Sequence, residues 1–532
     1  MSALFKPGTT QLTGVEEAII RNINAVKEFT DITRTSLGPS GLQKIVVNHL
    51  EKVFLSADAA VVVSELELQH PAAKIVAMAS QQQEREHGDF TNKALLFAGE
   101  LLLQAESLLK MGIHPSDIIN GYEKSLEFVL SQLPELCCYR VDELNIENLS
   151  RGISAVVQAK KYGLEDVLVP LVCKSALSIM PSNPKKFNPD NVRCLKILGS
   201  SVVSSSIVKG FCLLRDVEGS IRHKEDCNVA VFSCGLDLET PENKGTVVLH
   251  NAEELQAFNK EEENRVKEAV EGIAKAGVDV VVSGGSVGEL ALHYFEAHKI
   301  MVIKVLSKFD LRRVCKAVRA TPLVRFGAPV QEELGHCHEV RVTEIGSQKV
   351  IVFRQEEESS AVSTIVIRGS SQHVMDDCER SINDAVRTIK ATVTDGRFVA
   401  GGGATEGELA RRVFALGEKT SGLDQYSIKK FAEALEFLPR ALAVNSGHDD
   451  INTISLIRAA HEKGNLYDGV GLDDGKPLDM KSAGIFDHLQ GKWWCYKFAT
   501  DAAVTILRVD SLVMSRPVGD QAPKPRGPAP NM

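Results

Sequence analysis

Apolar residues recur at helical intervals near the start of the chain. Val15, Ile19, Ile23, Val26 and Phe29 fall on one face of a 3.6-residue repeat. Thr13-Gly14-Val15-Glu16 has capping-box spacing and predicts a helix start there. The breaker-rich stretch Ser36-Leu37-Gly38-Pro39-Ser40-Gly41 ends that helix. Two short apolar runs, Ile45-Val46-Val47 and Val53-Phe54-Leu55, then predict a hairpin. Helical patterning dominates from about Pro71 to Leu133.

The middle changes period. An amphipathic helix carries Val266, Val270 and Ile273 on one face, with Glu263 placed four residues before Lys267. A β-branched run over 278–282, a helix over 287–298 and a run over 301–306 form a strand-helix-strand unit, which predicts a parallel sheet. Another helix is expected over 311–319, opened by Ser307 to Asp310. Val340 to Val342 and Val350 to Phe353 flank Gly346 as a second hairpin. From Thr405 the pattern is helical again, through 432–442, 451–461 and 498–509. Residues 516–532 hold five prolines and no apolar pattern, so they read as a disordered tail. The order is helical, mixed, helical, as an α/β insertion within a helical domain would produce. No internal repeat is evident.

At 532 residues the chain exceeds a single core, so two to four domains are expected. A net charge of −9 argues against nucleic acid as the main ligand. No apolar stretch reaches membrane-spanning length, and the N-terminal residues lack a signal-peptide pattern, so the expected compartment is the cytosol. Eleven cysteines without a Cys-x-x-Cys pair fit that compartment as reduced thiols. His336-Cys337-His338 has no second half-site for zinc and reads as a surface turn before a strand.

Three glycine-containing segments carry candidate chemistry. Gly88-Asp89-Phe90-Thr91-Asn92 reads either as a plain interhelix loop or as a phosphate loop. In the second case its backbone N–H groups face phosphate oxygens and its carboxylate faces Mg²⁺. Gly401-Gly402-Gly403 precedes a helix near Thr405, whose N-terminus favours an anion; a flexible hinge is the alternative. Gly284-Gly285-Ser286-Val287-Gly288 follows a strand and opens a helix. It lacks dinucleotide-fingerprint spacing, so an ordinary strand-to-helix turn outweighs a free dinucleotide enzyme. Asp384 sits among Asp376, Asp377, Glu379, Arg380 and Arg387, which taken alone suggests a solvated helix face.

Taken together, further segments resemble the group II chaperonins, and within them the subunits of the eukaryotic cytosolic chaperonin (TRiC/CCT). They include Thr35 to Gly41, Val46 to Lys52, His70 to Lys74, Cys194 to Gly199, Lys244 to Val247, Asp310 to Arg313, Gly401 to Glu406 and Gly484 to Asp487. The resemblance implies a multidomain chaperonin fold, an all-α equatorial domain with inserted α/β intermediate and apical domains. The equatorial domain would comprise 1–142 and 400–532, bind ATP and make ring contacts. A hinge domain would comprise 143–208 and 366–399. An apical domain, 209–365, would bind clients through the helix at 311–319 and carry a lid protrusion near 237–256.

Site residues follow from the same resemblance. Leu37, Gly38 and Pro39 match the loop touching the nucleotide. Asp89 matches the Mg²⁺ ligand, Thr91 and Asn92 the phosphate contacts, and Lys93 and Lys160 lysines near them. Gly402 and Gly403 match the glycines packed on ribose or base, Asp487 the carboxylate holding the ribose, and Lys492 its neighbour. Asp384 matches the catalytic aspartate that orients water. The implied function is a double ring of this subunit and seven paralogues. It would use ATP binding and hydrolysis with Mg²⁺ to fold clients such as actin and tubulin, with co-chaperones such as prefoldin.

Phe90 departs from the resemblance, standing where the family pattern is Gly-Asp-Gly-Thr. If the native torsion there is left-handed, a phenylalanine is strained and nucleotide binding weakens; a silent, structural ring member is the resulting alternative. Asn48 stands where many family members carry an aspartate, Ala400 where they carry a proline and Val444 where they carry a glutamate.

Overall fold

The computed structural model describes residues 10–14, 18–237, 252–355 and 361–514. The expected lid near 237–256 therefore lies mostly outside the described residues, and the expected tail over 516–532 wholly so. The chain divides into two compact units, 1–140 with 395–532, and 141–394.

The first unit opens with β1 (Thr10–Thr13), α1 (Ile20–Arg34), β2 (Lys44–Val47) and β3 (Val53–Ser56). It continues with α2 (Ala59–Glu65), α3 (Pro71–His87), α4 (Thr91–Lys110), α5 (Pro115–Gln132) and β4 (Cys137–Arg140). The second unit holds α6 (Ile146–Gln158), α7 (Glu165–Ser178), β5 (Val192–Leu198), β6 (Ser206–Leu213), β7 (His223–Phe232) and α8 (Ala252–Lys275). Then come β8 (Val280–Ser283), α9 (Glu289–Ala297), β9 (Met301–Lys304) and α10 (Lys308–Val318). Its last elements are β10 (Gly335–Ile345), β11 (Gln348–Arg354), β12 (Ser363–Gly369) and α11 (Gln372–Thr394). The chain returns to the first unit with β13 (Arg397–Ala400), α12 (Ala404–Lys419), α13 (Asp424–Leu435), α14 (Phe437–Asn445) and α15 (Asp450–Glu462). It ends with β14 (Asp468–Val470), β15 (Pro477–Asp479), β16 (Phe486–His488), α16 (Leu489–Leu507) and β17 (Ser511–Met514).

Helix α4 is the axis of the first unit. It is apolar on nearly every side, as a helix surrounded by others must be. Phe97 at its middle is fully buried, with the rings of Phe431, Phe437 and Tyr496 each within 5.7 Å between centroids. These contacts bring α13, α14 and α16, from the far end of the sequence, onto a helix from its start. The unit is predominantly helical but not all-α: β1 pairs with β17, β2 with β3, β14 with β15, and β16-β13-β4 forms a three-stranded sheet.

Thr13 ends β1, in antiparallel register with Ser511, and Gly14, next in the chain, is already helical, in line with the expected helix start there. Residues 15–17 lie outside the described residues, and Ala18 and Ile19 lead helically into α1.

An eight-stranded mixed sheet, order β5-β12-β6-β11-β10-β7-β8-β9, organises the second unit. β7, β8 and β9 run parallel, as the strand-helix-strand pattern predicts. Their side chains alternate between two cores. Val229, Val231, Val280 and Val282 pack with α10 through Leu311 and Val314. Ala230, Phe232 and Val281 pack with α8 and α9 through Val266, Val270 and Phe295. The Gly284 to Gly288 segment is the turn leading into α9. His336, Cys337 and His338 lie inside strand β10 rather than in a turn before it. Cys337 is buried and both histidines are exposed, so the three cannot converge on one ion. Among the described residues no cluster of three metal-ligating side chains occurs, and no helix is long and apolar enough to cross a membrane.

Candidate nucleotide-binding site

Three helix N-termini in the first unit carry the expected phosphate and ribose residues. Helix α3 stops at Gly88, which adopts φ 77° as its left-handed cap. Two residues later Phe90 opens α4, with φ 67° and ψ 15°. The backbone thus turns sharply at Asp89 and presents the first N–H groups of α4, the usual anion site of a helix. Thr91 and Asn92 stand at its first two positions. Asn92 donates through Nδ2 to the Thr33 carbonyl at 3.2 Å and the Ser36 hydroxyl at 3.3 Å. This ties the loop to the end of α1, where Leu37, Gly38 and Pro39 follow. Asn445 holds the same end by donating to the Leu37 carbonyl at 2.8 Å. Gly38 has φ 84°, and a Cβ there would lie 2.5 Å from a Leu442 methyl, so glycine is required.

The triple glycine joins β13 to α12. Gly402 and Gly403 have φ of 59° and 83°, and a Cβ on Gly402 would meet the Met480 sulfur at 2.6 Å. A Cβ on Gly401 would lie 3.2 Å from Asp487 Oδ1, so the ribose carboxylate of the sequence reading stands directly beside this turn. β13 and β16 hold the two together, with Val399 opposite Asp487.

Beneath these loops lies a charge cluster that the sequence reading missed. Glu406, in the first turn of α12, forms an ion pair with Lys93 of α4. It also meets Lys492 of α16 at 3.1 Å and accepts the Tyr496 hydroxyl at 2.8 Å. Lys492 reaches Asp487 at 2.8 Å and donates to the Ala400 carbonyl at 3.3 Å. Lysines in the first turn of a helix oppose its dipole, and Glu406 offsets two of them at once. Burial alone would raise the Glu406 carboxyl, but Lys492 and Lys93 pull it well below the usual carboxylate range. Burial lowers Lys492 as well, yet its two carboxylates hold it above the ordinary lysine value. Lys93 pairs directly with Glu406 alone, and burial, with repulsion from Lys492, outweighs its carboxylates, so its pKa falls. Lys93 and Lys492, expected at the nucleotide, thus direct their ammonium groups into this buried floor. The one signal in the sequence was Glu406 itself, an acid placed three residues after a glycine turn.

The donor set fits a magnesium nucleotide. Asp89, just before the N-terminus of α4, would supply a hard oxygen ligand. Asn92 Oδ1 is buried without a hydrogen-bond partner, an acceptor still to be satisfied. The glycine turn leaves its backbone bare for close approach.

In the second unit, Asp384 is not on a solvated face. It sits on the buried side of α11, 7% exposed at its side chain, in an ion pair with Lys160, which follows α6. Lys161 meets Asp377 at 3.0 Å. Two adjacent lysines thus reach carboxylates two helical turns apart, which fixes α6 against α11.

Comparison with known proteins identifies the family. Residues 29–517 match the model of the TCP-1/cpn60 chaperonin family, and the chain belongs to that family. Within it, the chain is similar to theta subunits. It is 45% identical to "T-complex protein 1 subunit theta" of Dictyostelium discoideum, over 99% of this chain and 98% of that protein. It is 46% identical to the "Probable T-complex protein 1 subunit theta" of Schizosaccharomyces pombe, over 99% and 97%. The human protein named "T-complex protein 1 subunit theta" is 47% identical, over 98% and 95%.

Proposed function

We propose that this chain is the theta-type subunit of a hetero-oligomeric, double-ring cytosolic chaperonin that uses ATP to close a built-in lid over folding clients. The observation that carries this reading is the convergence of Asp89, the 401–403 glycines and Asp487 on the N-termini of α4, α12 and α16. In it, 1–142 with 400–532 is the equatorial domain, 143–208 with 366–399 the hinge, and 209–365 the apical domain. Seven paralogues complete the ring.

Asp89 would hold Mg²⁺, which neutralises phosphate charge when bound. Backbone N–H groups at Thr91 and Asn92 cradle phosphate oxygens, and Asp487 orients the ribose. Asp384 orients the attacking water and accepts its proton, and its ion-pair partner Lys160 holds the carboxylate in place until then. Closure follows only as far as nucleotide binds the closed state better than the open one. The outer face of α10 mixes exposed Phe309 with Lys308, Arg312 and Lys316, a surface suited to unfolded clients of the actin and tubulin class. The β2–β3 hairpin exposes Ile45, Val47 and Val53, and is suited to a ring neighbour.

Asp384→Ala in the assembled ring tests the catalytic assignment. The expected result is ATP binding within about twofold of the parent and hydrolysis at this subunit lowered by about a hundredfold. Unchanged turnover at this site would sink the assignment.

A second reading, a silent structural and client-binding subunit, is favoured by one observation. Phe90 occupies the left-handed region at φ 67°, which costs a non-glycine residue about 1–2 kcal/mol. Spent against nucleotide binding, that is about a tenfold loss of affinity. In this reading the site fills with nucleotide only after Phe90→Gly.

A further inference from the structure

Phe90 is the residue most at odds with nucleotide binding, and its surroundings show how the loop carries it. The ring rests against Gly491, in the first turn of α16. A Cβ built on Gly491 would lie 2.7 Å from Phe90 Cε2 and 3.0 Å from Cδ2. These are rigid ring atoms rather than a flexible chain end, so the ring needs a glycine beneath it. The Lys93 ammonium stands 5.3 Å from the ring centroid, within cation–π range. The backbone of the loop is gripped from the same quarter. Gln83, fully buried, donates its Nε2 to the Asp89 carbonyl and to the Gly491 carbonyl, each at 3.1 Å. The Cys495 thiol donates to the Phe90 carbonyl at 3.9 Å. The side chain is therefore seated in a socket on α16.

We propose that Phe90 is a positioning residue for the phosphate loop. Its ring, docked on Gly491 and over Lys93, holds Gly88 to Asn92 in the left-handed turn that glycine would otherwise reach by its own freedom. Burying an aromatic ring yields free energy of the same order as the torsional strain, so the strain is met by docking and not drawn from ligand affinity. Phenylalanine also narrows the unfolded ensemble at a position where glycine would widen it. Gly491 is the partner that makes the substitution tolerable. The consequence for ligand rests on the nucleotide reading above: the part of the ligand that feels this docking is its phosphates.

A double-mutant cycle in the full-length chain tests it, with the parent, Gly491→Ala, Phe90→Gly and the double variant. Dissociation constants are measured for Mg·ADP and for adenosine, and urea midpoints without ligand. In the parent background Gly491→Ala should displace the ring and weaken Mg·ADP about tenfold. Adenosine should change less than about twofold, a split that a merely structural role would not produce. In the Phe90→Gly background the same substitution should leave both ligands unchanged, because no ring remains to displace. Equal effects of Gly491→Ala in both backgrounds would overturn the proposal. So would a Phe90→Gly chain that binds Mg·ADP tenfold tighter than the parent. If no variant binds either ligand, the nucleotide reading falls. The docking itself is then judged by the urea midpoints, where non-additive shifts uphold it and additive shifts overturn it.

Discussion

Both units bury lysines against carboxylates, and they do so differently. In the first, Lys93, Glu406 and Lys492 are 4% exposed or less, and Glu406 and Lys492 each serve two opposite charges, Asp487 completing the set. The cluster is neutral in sum, dry and anchored to three helices. In the second, Lys160 keeps 18% of its side-chain surface and Asp384 keeps 7%, in a direct pair at the end of α6. The first arrangement is a floor. Removing Glu406 strands Lys93, because water cannot reach it. The second is a pairing that water and a ligand can enter, so its partners can be exchanged.

The contrast can be broken most directly at Glu406. Glu406→Gln leaves Lys93 buried without its ion-pair partner, while Lys492 keeps Asp487, and should cost about 3–5 kcal/mol of stability, read from urea unfolding of the full chain. The matched substitution in the other unit, Lys160→Met, should cost less, about 1–3 kcal/mol, since this pair is closer to solvent than the Glu406 cluster. Equal losses would erase the distinction between floor and exchangeable pair.

A smaller effect sharpens it from the side of pH. His87 precedes the phosphate loop, stacks on Trp494 at 6.3 Å between centroids, and is held near pKa 4 by burial and then by His488. Its folded pKa lies below its unfolded value of 6.5. Between those values the unfolded chain takes up a proton that the folded chain refuses, so stability falls as pH drops from about 6.5 towards 4. Urea midpoints of His87→Gln should be flatter over that window than those of the parent. Parallel profiles would remove His87 as a cause.

Much of this was legible because burial writes itself into period. Helices α3 to α5 and α12 to α15 each bury a regular face, and the β8–α9–β9 unit announces itself by β-branched runs around a glycine turn. What was not legible depends on partners far along the chain. Strands β4, β13 and β16 have three or four residues each, too few for a pattern, and meet only after folding. Thr13 carries a capping signal before helical Gly14, but nothing local to it marks its pairing with Ser511. The site shows the same division. Its glycines and Asp89 lie in short local motifs, whereas Lys93 finds Glu406 313 residues away. Asp384 reads as solvent-facing because its neighbours on α11 are charged, yet the helix turns that one carboxylate inward. Phe90 appeared as an obstacle until Gly491, 401 positions later, supplied the socket.

The central claim is that Asp89 and the loop around it bind a magnesium nucleotide. The direct measurement is calorimetric titration of ATP into the full-length chain, with and without Mg²⁺, for the parent and Asp89→Asn. The account predicts Mg²⁺-dependent binding in the parent and a loss of at least about tenfold in Asp89→Asn, confined to the Mg²⁺ condition. Binding of equal strength in both chains, or none in the parent, would contradict it.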